Sequence, residues 1–355
     1  MDTADTRNTT DATRGGPVWR EAVLGEPYDG GRIRCELCPF RCVLADGQVG
    51  VCQVRRNRAG VLETATFTAA TAHLDAIERK PLYHVRPGIR VLTVAGPGCT
   101  FRCDYCVNHR LSQYGRVDTA PWIGDPARPG ELVEQAVAAG AAVGLSYAEP
   151  GLAPELTLAL AEHADGTGVP LVWKSNGFLT SRAIDLVAPA LTAVNIDVKA
   201  AGEAEHRRLT GAPLKPVLDA VERFLAAGVW VEVSTPLIPG TSAEPAALRR
   251  ISGWLRGLGR EIPWHLLRFT PDFRMRRHSP TVPSELNAAR EIGHESGLDF
   301  VYVERALGAE GRHTRCPVCE TMLVERGIWE TMENHITGGR CPRCEKQVPG
   351  RWGDP

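Results

Sequence analysis

The sequence predicts an α/β fold whose parallel sheet forms a partial barrel or an open doubly wound sheet. From Ile89 onwards, short apolar runs alternate with helix-like segments, and this alternation is typical of βαβ units. Six runs are clear and a seventh is weaker, so the count falls short of the eight strands of a closed barrel. Cysteine groups on both sides of this region predict additional metal-binding segments.

The predicted strands, in order, are IRVLTV, AAVGLSY, VPLVWKS, LTAVNIDVK, VWVEVSTPLI and WHLLRF, with LDFVYV as the weaker seventh. Helical patterns lie between them, among them ELVEQAVAAG, ELTLALAEHA, LKPVLDAVERFLAAG and EPAALRRISGWLRGLG. Several of these helices end at Gly, as expected for a C-cap. Because such folds bind ligands at the carboxyl ends of their strands, the polar residues that follow each run are the candidate site.

Four segments are predicted along the chain. Residues 1–30 are a polar disordered tail, 31–85 a Cys-rich metal-binding segment, 86–308 the barrel, and 309–355 a second Cys-rich module. The start lacks the apolar stretch of a secretory signal, and no apolar run reaches the about 18 residues of a membrane span. We therefore expect a cytoplasmic protein with no membrane contact. The net charge of −1 argues against DNA as a partner.

The eleven cysteines fall into three groups with none left over. The groups are Cys35, Cys38, Cys42 and Cys52; then Cys99, Cys103 and Cys106; then Cys316, Cys319, Cys341 and Cys344. Clustered thiols in a reducing compartment more often hold metal than form disulfides. The sequence therefore predicts three metal centres.

The central group has the spacing C-x3-C-x2-C on the loop that follows the first predicted barrel strand. Three thiolates on one short loop can bind three irons of a cubane cluster and leave the fourth iron open. The alternative is a zinc ion with a fourth ligand from elsewhere, such as His109. Catalytic zinc sites rarely take three thiolates, which favours the iron–sulfur cluster.

With an aromatic residue, Tyr105, before its last cysteine, this motif resembles that of the radical S-adenosylmethionine (radical SAM) superfamily. The segment from Cys35 to Gln113 contains C-x2-C-P-x2-C, G-x-x-G-x-C-x-x-R and IERKPLYHVRPG. It resembles the branch related to pyruvate formate-lyase activating enzymes, and within it the AmmeMemoRadiSam system enzymes. The likeness continues through SYAEPG, KSNGFL, NIDVKA, VEVSTPLIPG, PWHLLRFTPDFRM and CPVC…CPRC, and covers about residues 31 to 352.

The resemblance implies a partial (β/α)6 TIM-like barrel that binds a [4Fe–4S] cluster with S-adenosylmethionine (SAM) on the open iron. One electron would then cleave SAM to a 5′-deoxyadenosyl radical, which takes a hydrogen atom from the substrate. The electron would come from a donor such as flavodoxin or ferredoxin. The positions that match the family's SAM contacts are Tyr105 (adenine pocket), Glu149 (ammonium), Ser175, Asn176, Asp197 and Lys199.

Charge supports part of this assignment independently of the resemblance. Glu149 suits the SAM ammonium and Lys199 suits its carboxylate. Asp197 and Lys199 could instead form a structural ion pair. The chain departs from the family pattern where Tyr147 and Ala148 replace a glycine pair, and where Lys174 stands in place of the Asp of activating enzymes.

The two groups of four cysteines predict further metal sites. Two C-P-x-C knuckles, from Cys316 and from Cys341, are typical of a zinc ribbon, although Glu320 and Glu345 replace the usual glycine after each knuckle. The ribbon would staple the end of the barrel or recognise a macromolecule. The first group, Cys35 to Cys52, is compatible with zinc or an auxiliary iron–sulfur cluster, and four thiolates at short range favour zinc.

The sequence thus predicts a radical SAM enzyme with an unidentified substrate. An alternative is an activating enzyme that installs a glycyl radical on a partner protein. An alternative of another class is a zinc-dependent binding module on an inert barrel. No catalytic acid or base is identified, since His84 and His265 are expected to be packed or hydrogen-bonded. Arg55 and its neighbours Arg56 and Arg58 are expected to form a solvated face.

Overall fold

The computed structural model describes residues 17–353, except residue 70, residues 117–123, residues 304–307 and residue 309. Its first part contains three small antiparallel pairings: β2-β3-β4, β1-β6-β5, and β7 with a later strand. The strands are β1 Arg20–Glu21, β2 Gly25–Tyr28, β3 Arg32–Cys35, β4 Val43–Leu44, β5 Arg55–Arg58, β6 Val61–Thr64 and β7 Thr68–Ala69, with a 3-10 turn at Asp29–Gly31.

The predicted disordered tail only partly coincides with this layout. Residues 1–16 lie outside the described residues, but β1 and β2 fall inside the predicted tail of residues 1–30. Cation–π contacts hold the start of the chain in place: the Arg20 guanidinium lies 4.3 Å from the Phe67 ring centroid and that of Arg56 lies 4.0 Å from the ring centroid of Trp19. The composition of residues 1–30 does not predict these contacts, because the partner residues, Phe67 and Arg56, lie much later in the chain.

The central part is an eight-stranded sheet in the order β16-β15-β14-β13-β12-β11-β9-β8. Its seven strands from β9 to β16 pair in parallel, and β8 pairs with β9 in antiparallel. The elements are β8 Thr71–Ala76, β9 Arg90–Ala95, α1 His109–Ser112, β10 Asp125–Pro126 (paired with β7), α2 Pro129–Ala139, β11 Ala142–Leu145, α3 Pro154–Ala164, β12 Leu171–Ser175, α4 Ser181–Val187, β13 Ala193–Asp197, α5 Glu203–Thr210, α6 Lys215–Ala226, β14 Trp230–Leu237, α7 Pro245–Leu258, β15 Trp264–Arg268, α8 Pro283–Glu295 and β16 Val301–Val303, with 3-10 turns at Ile77–Arg79, Pro150–Leu152 and Ala188–Ala190.

This sheet confirms the predicted fold class. The seven predicted strands are all present, including the weaker seventh as β16, and within the described residues the sheet is open between its edges β8 and β16. The partial barrel is therefore correct. The edge strand β8 was not predicted, because its residues are mostly exposed or half-buried and do not form an apolar run.

Local chemistry explains why these segments adopt their elements. Four helices, α2, α3, α7 and α8, begin with Pro at the first position, where a missing N–H costs nothing. In α6 the residues Val217, Ala220, Val221 and Phe224 are buried at helical spacing. In β11 a Cβ at Gly144 would lie 2.5 Å from Val91 Cγ1, so only glycine lets these neighbours pack.

The last part is a three-stranded antiparallel sheet of β17 Thr314–Arg315, β18 Met322–Arg326 and β19 Thr331–Asn334. It packs at the amino ends of the parallel strands. The Arg351 side chain donates to the carbonyl of Gly228, two residues before β14, at 2.8 Å, and the Arg326 side chain donates to that of Tyr83 at 2.6 Å. The module therefore covers the end of the barrel opposite the predicted site.

None of the helices in the described residues combines the length and the apolar character needed to cross a membrane.

Candidate active site

The three central cysteines lie on the loop that leaves β9 at the carboxyl end of the sheet. Gly98 in this loop has φ +88°, and a Cβ there would lie 2.7 Å from the carbonyl oxygen of Cys52. Glycine is therefore required both for the turn and for the close approach of the N-terminal segment. The close approach at Gly98 therefore places the loop of the central thiols next to the N-terminal cysteine Cys52.

Polar groups surround the central thiols. The backbone N–H of Phe101 donates to Cys99 Sγ at 3.3 Å, and the Asn176 side-chain amide lies 3.5 Å from the same sulfur. Ser112 Oγ lies 3.2 Å from Cys106 Sγ. Burial raises the pKa of Cys103 to about 12, although Lys199 opposes this shift. Metal binding must therefore displace the proton of the Cys103 thiol, and the hydrogen-bond donors around Cys99 and Cys106 suit metal-bound thiolates.

His109 does not supply a fourth ligand in this arrangement. Its Nδ1 lies 3.1 Å from the carbonyl oxygen of Cys106, and its ring stacks on Phe273 with centroids 4.6 Å apart. These contacts hold the imidazole against its neighbours. The donor set at this loop is three thiols, which fits a cubane cluster with one open iron better than a four-ligand zinc site.

Glu149 lies beside the thiol loop, at the exit of β11, and is buried. Its carboxylate accepts hydrogen bonds from Ser175 Oγ at 2.6 Å, from the N–H of Gly151 at 2.8 Å and from the N–H of Asn176 at 2.8 Å. Burial raises the pKa of this carboxyl group in spite of these donors. Among the described residues no cation forms an ion pair with this carboxylate, although the charge of Lys199 acts on it and opposes the rise of its pKa. A buried carboxylate whose hydrogen-bond donors are all neutral is suited to bind a cationic ligand.

Ser175 and Asn176 therefore act together with Glu149. Ser175 ends β12 and Asn176 follows it directly, and because β12 pairs in parallel with β11, both residues lie close to Glu149. The Asn176 side-chain amide also donates to Thr100 Oγ1 at 3.0 Å, next to Cys99. These hydrogen bonds connect the carboxylate to the thiol loop.

Asp197 ends β13 and lies between two lysines. Its carboxylate accepts from Lys174 Nζ at 2.5 Å and from Lys199 Nζ at 2.7 Å. Burial would raise the pKa of Asp197, but the two ammonium groups outweigh it and lower the value to about 2. The ion pair of Asp197 with Lys199, which the sequence left as an alternative, is therefore present, and Lys174 also pairs with Asp197. Three charged groups leave a net charge of +1 here.

Tyr105 completes this side of the site. Its hydroxyl is buried without a hydrogen-bond partner among the described residues. Its ring centroid lies 5.9 Å from Lys199 Nζ. A buried hydroxyl without a partner is costly in a finished core, so this position is consistent with a pocket that receives a polar ligand.

Arg116 is the residue of this region that sequence reasoning missed. Its guanidinium donates to the carbonyl oxygens of Val51 at 2.6 Å, Cys99 at 2.5 Å and Phe101 at 2.6 Å. It therefore joins the N-terminal segment to the thiol loop. No sequence motif predicts this role, because the shortest hydrogen bonds of Arg116 go to backbone carbonyl groups and one of these, that of Val51, lies 65 residues away.

The C-terminal thiols form a compact group whose four sulfurs all lie within 4.8 Å of one another. Cys316 Sγ and Cys344 Sγ are 3.5 Å apart, and Cys319 Sγ and Cys341 Sγ are 3.6 Å apart. Bonds of about 2.3 Å to one tetrahedral zinc place sulfurs roughly 3.8 Å apart. This group therefore fits a single metal ion.

Glu320 and Glu345, which replace the expected glycines, both take φ +57°. In each knuckle the N–H of the glutamate donates to the carbonyl of the first cysteine at 3.0 Å. The knuckle turn forms without glycine, and the two knuckles have the same backbone geometry.

Several known proteins are similar to this chain over part or most of its length. The model of the radical SAM superfamily matches residues 93–250. An uncharacterized protein of Methanocaldococcus jannaschii is 33% identical over 335 residues, which cover 93% of this chain and 98% of that protein. The isethionate sulfite-lyase activating enzyme of Nitratidesulfovibrio vulgaris is 29% identical over 133 residues, which cover 36% of this chain and 43% of that enzyme.

Two solved structures are similar to part of this chain. A domain of the pyruvate-formate lyase-activating enzyme of Bacteroides vulgatus has a TM-score of 0.41 and 18% identity, and the match covers 46% of this chain and 98% of that one. A radical SAM methyltransferase of Sphaerobacter thermophilus has a TM-score of 0.48 and 20% identity, with 63% and 67% covered.

Proposed function

Because the chain belongs to the radical SAM superfamily, we propose that Cys99, Cys103 and Cys106 hold a [4Fe–4S] cluster whose open iron binds SAM. The three thiols of one loop, of which that of Cys103 is buried, lie beside the buried carboxylate of Glu149, and this arrangement carries the proposal. When bound, the reduced cluster supplies the electron that converts SAM to methionine and a 5′-deoxyadenosyl radical, which takes hydrogen from the substrate. The protein binds and orients these groups.

The charges of the site match the two ends of the methionyl part of SAM. Glu149 supplies one negative charge for the ammonium group. Lys199 supplies a positive charge for the carboxylate. Asp197 is held on its other oxygen by Lys174, so Lys199 can turn to a ligand without leaving Asp197 unpaired. Ser175 and Asn176 orient Glu149, and Tyr105 offers its hydroxyl to the nucleoside side.

The substrate class has two candidates. Direct modification of a small molecule or peptide is the first, because metal-rich segments flank the barrel on both sides. Installation of a glycyl radical on a partner protein is the second, and the similarity of 133 residues to a sulfite-lyase activating enzyme favours it. Either reaction requires a one-electron donor, for which flavodoxin or ferredoxin is suited.

All eleven cysteines are free thiols, which fits the reducing cytoplasm.

Formation of 5′-deoxyadenosine tests the proposal. Protein reconstituted anaerobically with iron and sulfide, then given SAM and dithionite, should release 5′-deoxyadenosine and methionine. Cys103→Ala should abolish this product. The matched control Val107→Ala changes an exposed residue of the same loop and should retain activity. Equal product from Cys103→Ala and the parent would overturn the proposal and favour a binding module on an inert barrel.

A further inference from the structure

The four N-terminal cysteines converge beside the central loop. Cys35, at the end of β3, donates its N–H to the carbonyl of Cys42 at 2.9 Å, and a tight turn with Arg41 at φ +43° lies between them. A Cβ at Gly50 would lie 3.6 Å from Cys42 Sγ, which brings the loop of Cys52 to the same place. Cys35, Cys38 and Cys52 are buried.

The thiols of this group are arranged as ligands rather than as isolated core residues. The N–H of Leu37 faces the sulfur of Cys35, that of Phe40 faces Cys38 and that of Val54 faces Cys52. Each donor lies two residues after its cysteine. Phe101 stands in the same relation to Cys99 in the central group. Amide donors at this position stabilise metal-bound thiolates.

The spread of the sulfurs separates a single ion from a cluster. A single ion draws all its ligand sulfurs together, as in the C-terminal group, where every pair lies within 4.8 Å. Among the described residues, that group alone meets this distance; in any three of the N-terminal thiols at least one pair is wider, and the central triad is also wider. In a cubane cluster each sulfur binds a different iron, so wider spacing is required.

We propose that Cys35, Cys38, Cys42 and Cys52 bind a second [4Fe–4S] cluster, adjacent to the one on the central loop. It replaces the zinc that spacing in the sequence favoured. With four thiolates this cluster has no open iron, so it is not a second SAM site. The assignment rests on the proposed function to the extent that the central triad binds a cluster of the same kind.

The surroundings fit a pair of neighbouring clusters. Phe178 packs between Phe40 of the N-terminal group and Phe101 of the central loop, with ring centroids 5.0 and 5.4 Å apart. Arg116 joins the carbonyls of Val51 and Cys99, the residues next to and within the two groups. Aromatic rings therefore lie between the two groups, and one guanidinium bonds to the backbones of both.

The test is the metal content of a variant that lacks the central site. The triple variant Cys99→Ala, Cys103→Ala and Cys106→Ala leaves the N-terminal thiols intact. After anaerobic reconstitution it should hold about four irons and four sulfides per chain, against about eight in the parent. On reduction it should show the electron paramagnetic resonance signal of a [4Fe–4S]⁺ cluster. Zinc in place of iron in this variant, or no metal beyond that of the C-terminal group, would overturn the proposal.

Further variants remove ambiguity about location and folding. Adding Cys316→Ser and Cys341→Ser to the triple variant should remove one metal ion and leave the irons. Cys38→Ser with Cys52→Ser in the otherwise intact chain should lose about half of the parent's iron. Circular dichroism identifies any variant that fails to fold. If the triple variant does not fold, the iron content of the Cys38→Ser, Cys52→Ser variant decides the outcome, because iron equal to that of the parent would overturn the proposal.

The two proposals fail in different ways. If the triple variant holds four irons but the parent makes no 5′-deoxyadenosine, the second cluster stands and the proposed function fails. If the parent makes 5′-deoxyadenosine and the triple variant binds only zinc, the proposed function stands and the second cluster fails.

Discussion

At the scale of single residues, the site depends on groups that are held in place but incompletely neutralised. Glu149 has three neutral donors, and Tyr105 has a buried hydroxyl without a partner among the described residues. Asp197, by contrast, is doubly paired. A bound ligand would therefore gain the most binding free energy at Glu149 and Tyr105, because it would supply the interactions that their buried polar groups lack.

Replacement of Glu149 by Gln should weaken SAM binding by about 10- to 100-fold, the value of a lost charge-assisted hydrogen bond. Burial raises the pKa of Glu149, and the ionised form binds the ammonium group. The affinity of the parent should therefore fall as pH falls through that raised pKa, at a higher pH than for an exposed glutamate, and Glu149→Gln should lose this dependence. Anaerobic equilibrium dialysis with labelled SAM measures both effects.

The matched control for this substitution is Glu134→Gln, on the exposed face of α2. It makes the same change far from the thiol loop and should bind SAM as the parent does. Iron content should be unchanged in both variants. Parent-like affinity in Glu149→Gln would show that this carboxylate does not receive the ammonium group.

At the scale of elements, a buried polar network joins the barrel to the C-terminal module. His84 Nε2 and the Tyr302 hydroxyl are 2.7 Å apart, and His84 Nδ1 lies 2.7 Å from the carbonyl oxygen of Pro349. Glu232 of β14 accepts from the N–H of His84 at 2.8 Å and lies 2.6 Å from His265 Nε2. Both histidines are fully buried and hydrogen-bonded, as expected from the sequence.

This network predicts a loss of stability in acid. Burial lowers the pKa of His84 to about 4, although Glu232 opposes the shift. In the unfolded chain His84 has an ordinary pKa near 6.5. Between about pH 4 and pH 6.5 it is therefore protonated in the unfolded chain but neutral in the folded one. The free energy of unfolding should therefore be highest above about pH 6.5 and fall by about 3 kcal/mol towards pH 4. Urea denaturation at a series of pH values measures it.

The charged groups around His84 come from several elements. A His84 variant must therefore be judged by how steeply its free energy of unfolding changes with pH. His265, Glu232 and Arg326 all face His84. His84→Gln loses hydrogen bonds and starts less stable, but its stability should depend less steeply on pH from 6.5 to 4. His278→Gln, at an exposed position, should keep the slope of the parent. An unchanged slope in His84→Gln would assign the acid sensitivity to other groups.

How far the sequence predicts these elements follows from the range of the interactions. The parallel strands are local patterns and were predicted correctly, and the C-terminal cysteines, whose spacing is also a local pattern, lie together in the structure. The expectation that Arg55 lies on a solvated face was wrong: Arg55 is buried and pairs with Glu155 at 2.6 Å, a residue one hundred positions later. The pairing of Lys174 with Asp197 also depends on strand register that no single segment contains.

At the scale of the whole molecule, the barrel separates two kinds of metal-binding segment. The C-terminal module covers the amino ends of the parallel strands, far from the thiol loop, and its compact sulfurs suit a single structural ion. The N-terminal segment covers the carboxyl ends, where a Cβ at Gly98 would meet the carbonyl of Cys52. Of the two Cys-rich segments, the N-terminal one therefore lies against the thiol loop, and the Arg116 side chain bonds to the backbones of both.

Replacement of Arg116 by Lys should test this junction. Lysine keeps the charge but has a single nitrogen, which cannot reach three carbonyl groups in the fixed geometry of a guanidinium. We expect a loss of about 2 kcal/mol in unfolding free energy, because hydrogen bonds to charged donors are worth about 1.5–3 kcal/mol. The proposed cluster sites on both sides should also lose iron faster under a chelator, since both backbones lose the same anchor. Urea denaturation and timed iron release measure the two effects.

The control is Arg110→Lys, an exposed position of the same region, which should behave as the parent in both measurements. The two readouts divide the possible roles of Arg116. Lower stability with unchanged iron release would mean that Arg116 supports the fold alone. Faster release from the central site only, observed with Cys38→Ser and Cys52→Ser in the background, would confine its role to that loop. Faster release from both sites is the result that a shared anchor requires, because the guanidinium bonds at once to Val51 and Cys99.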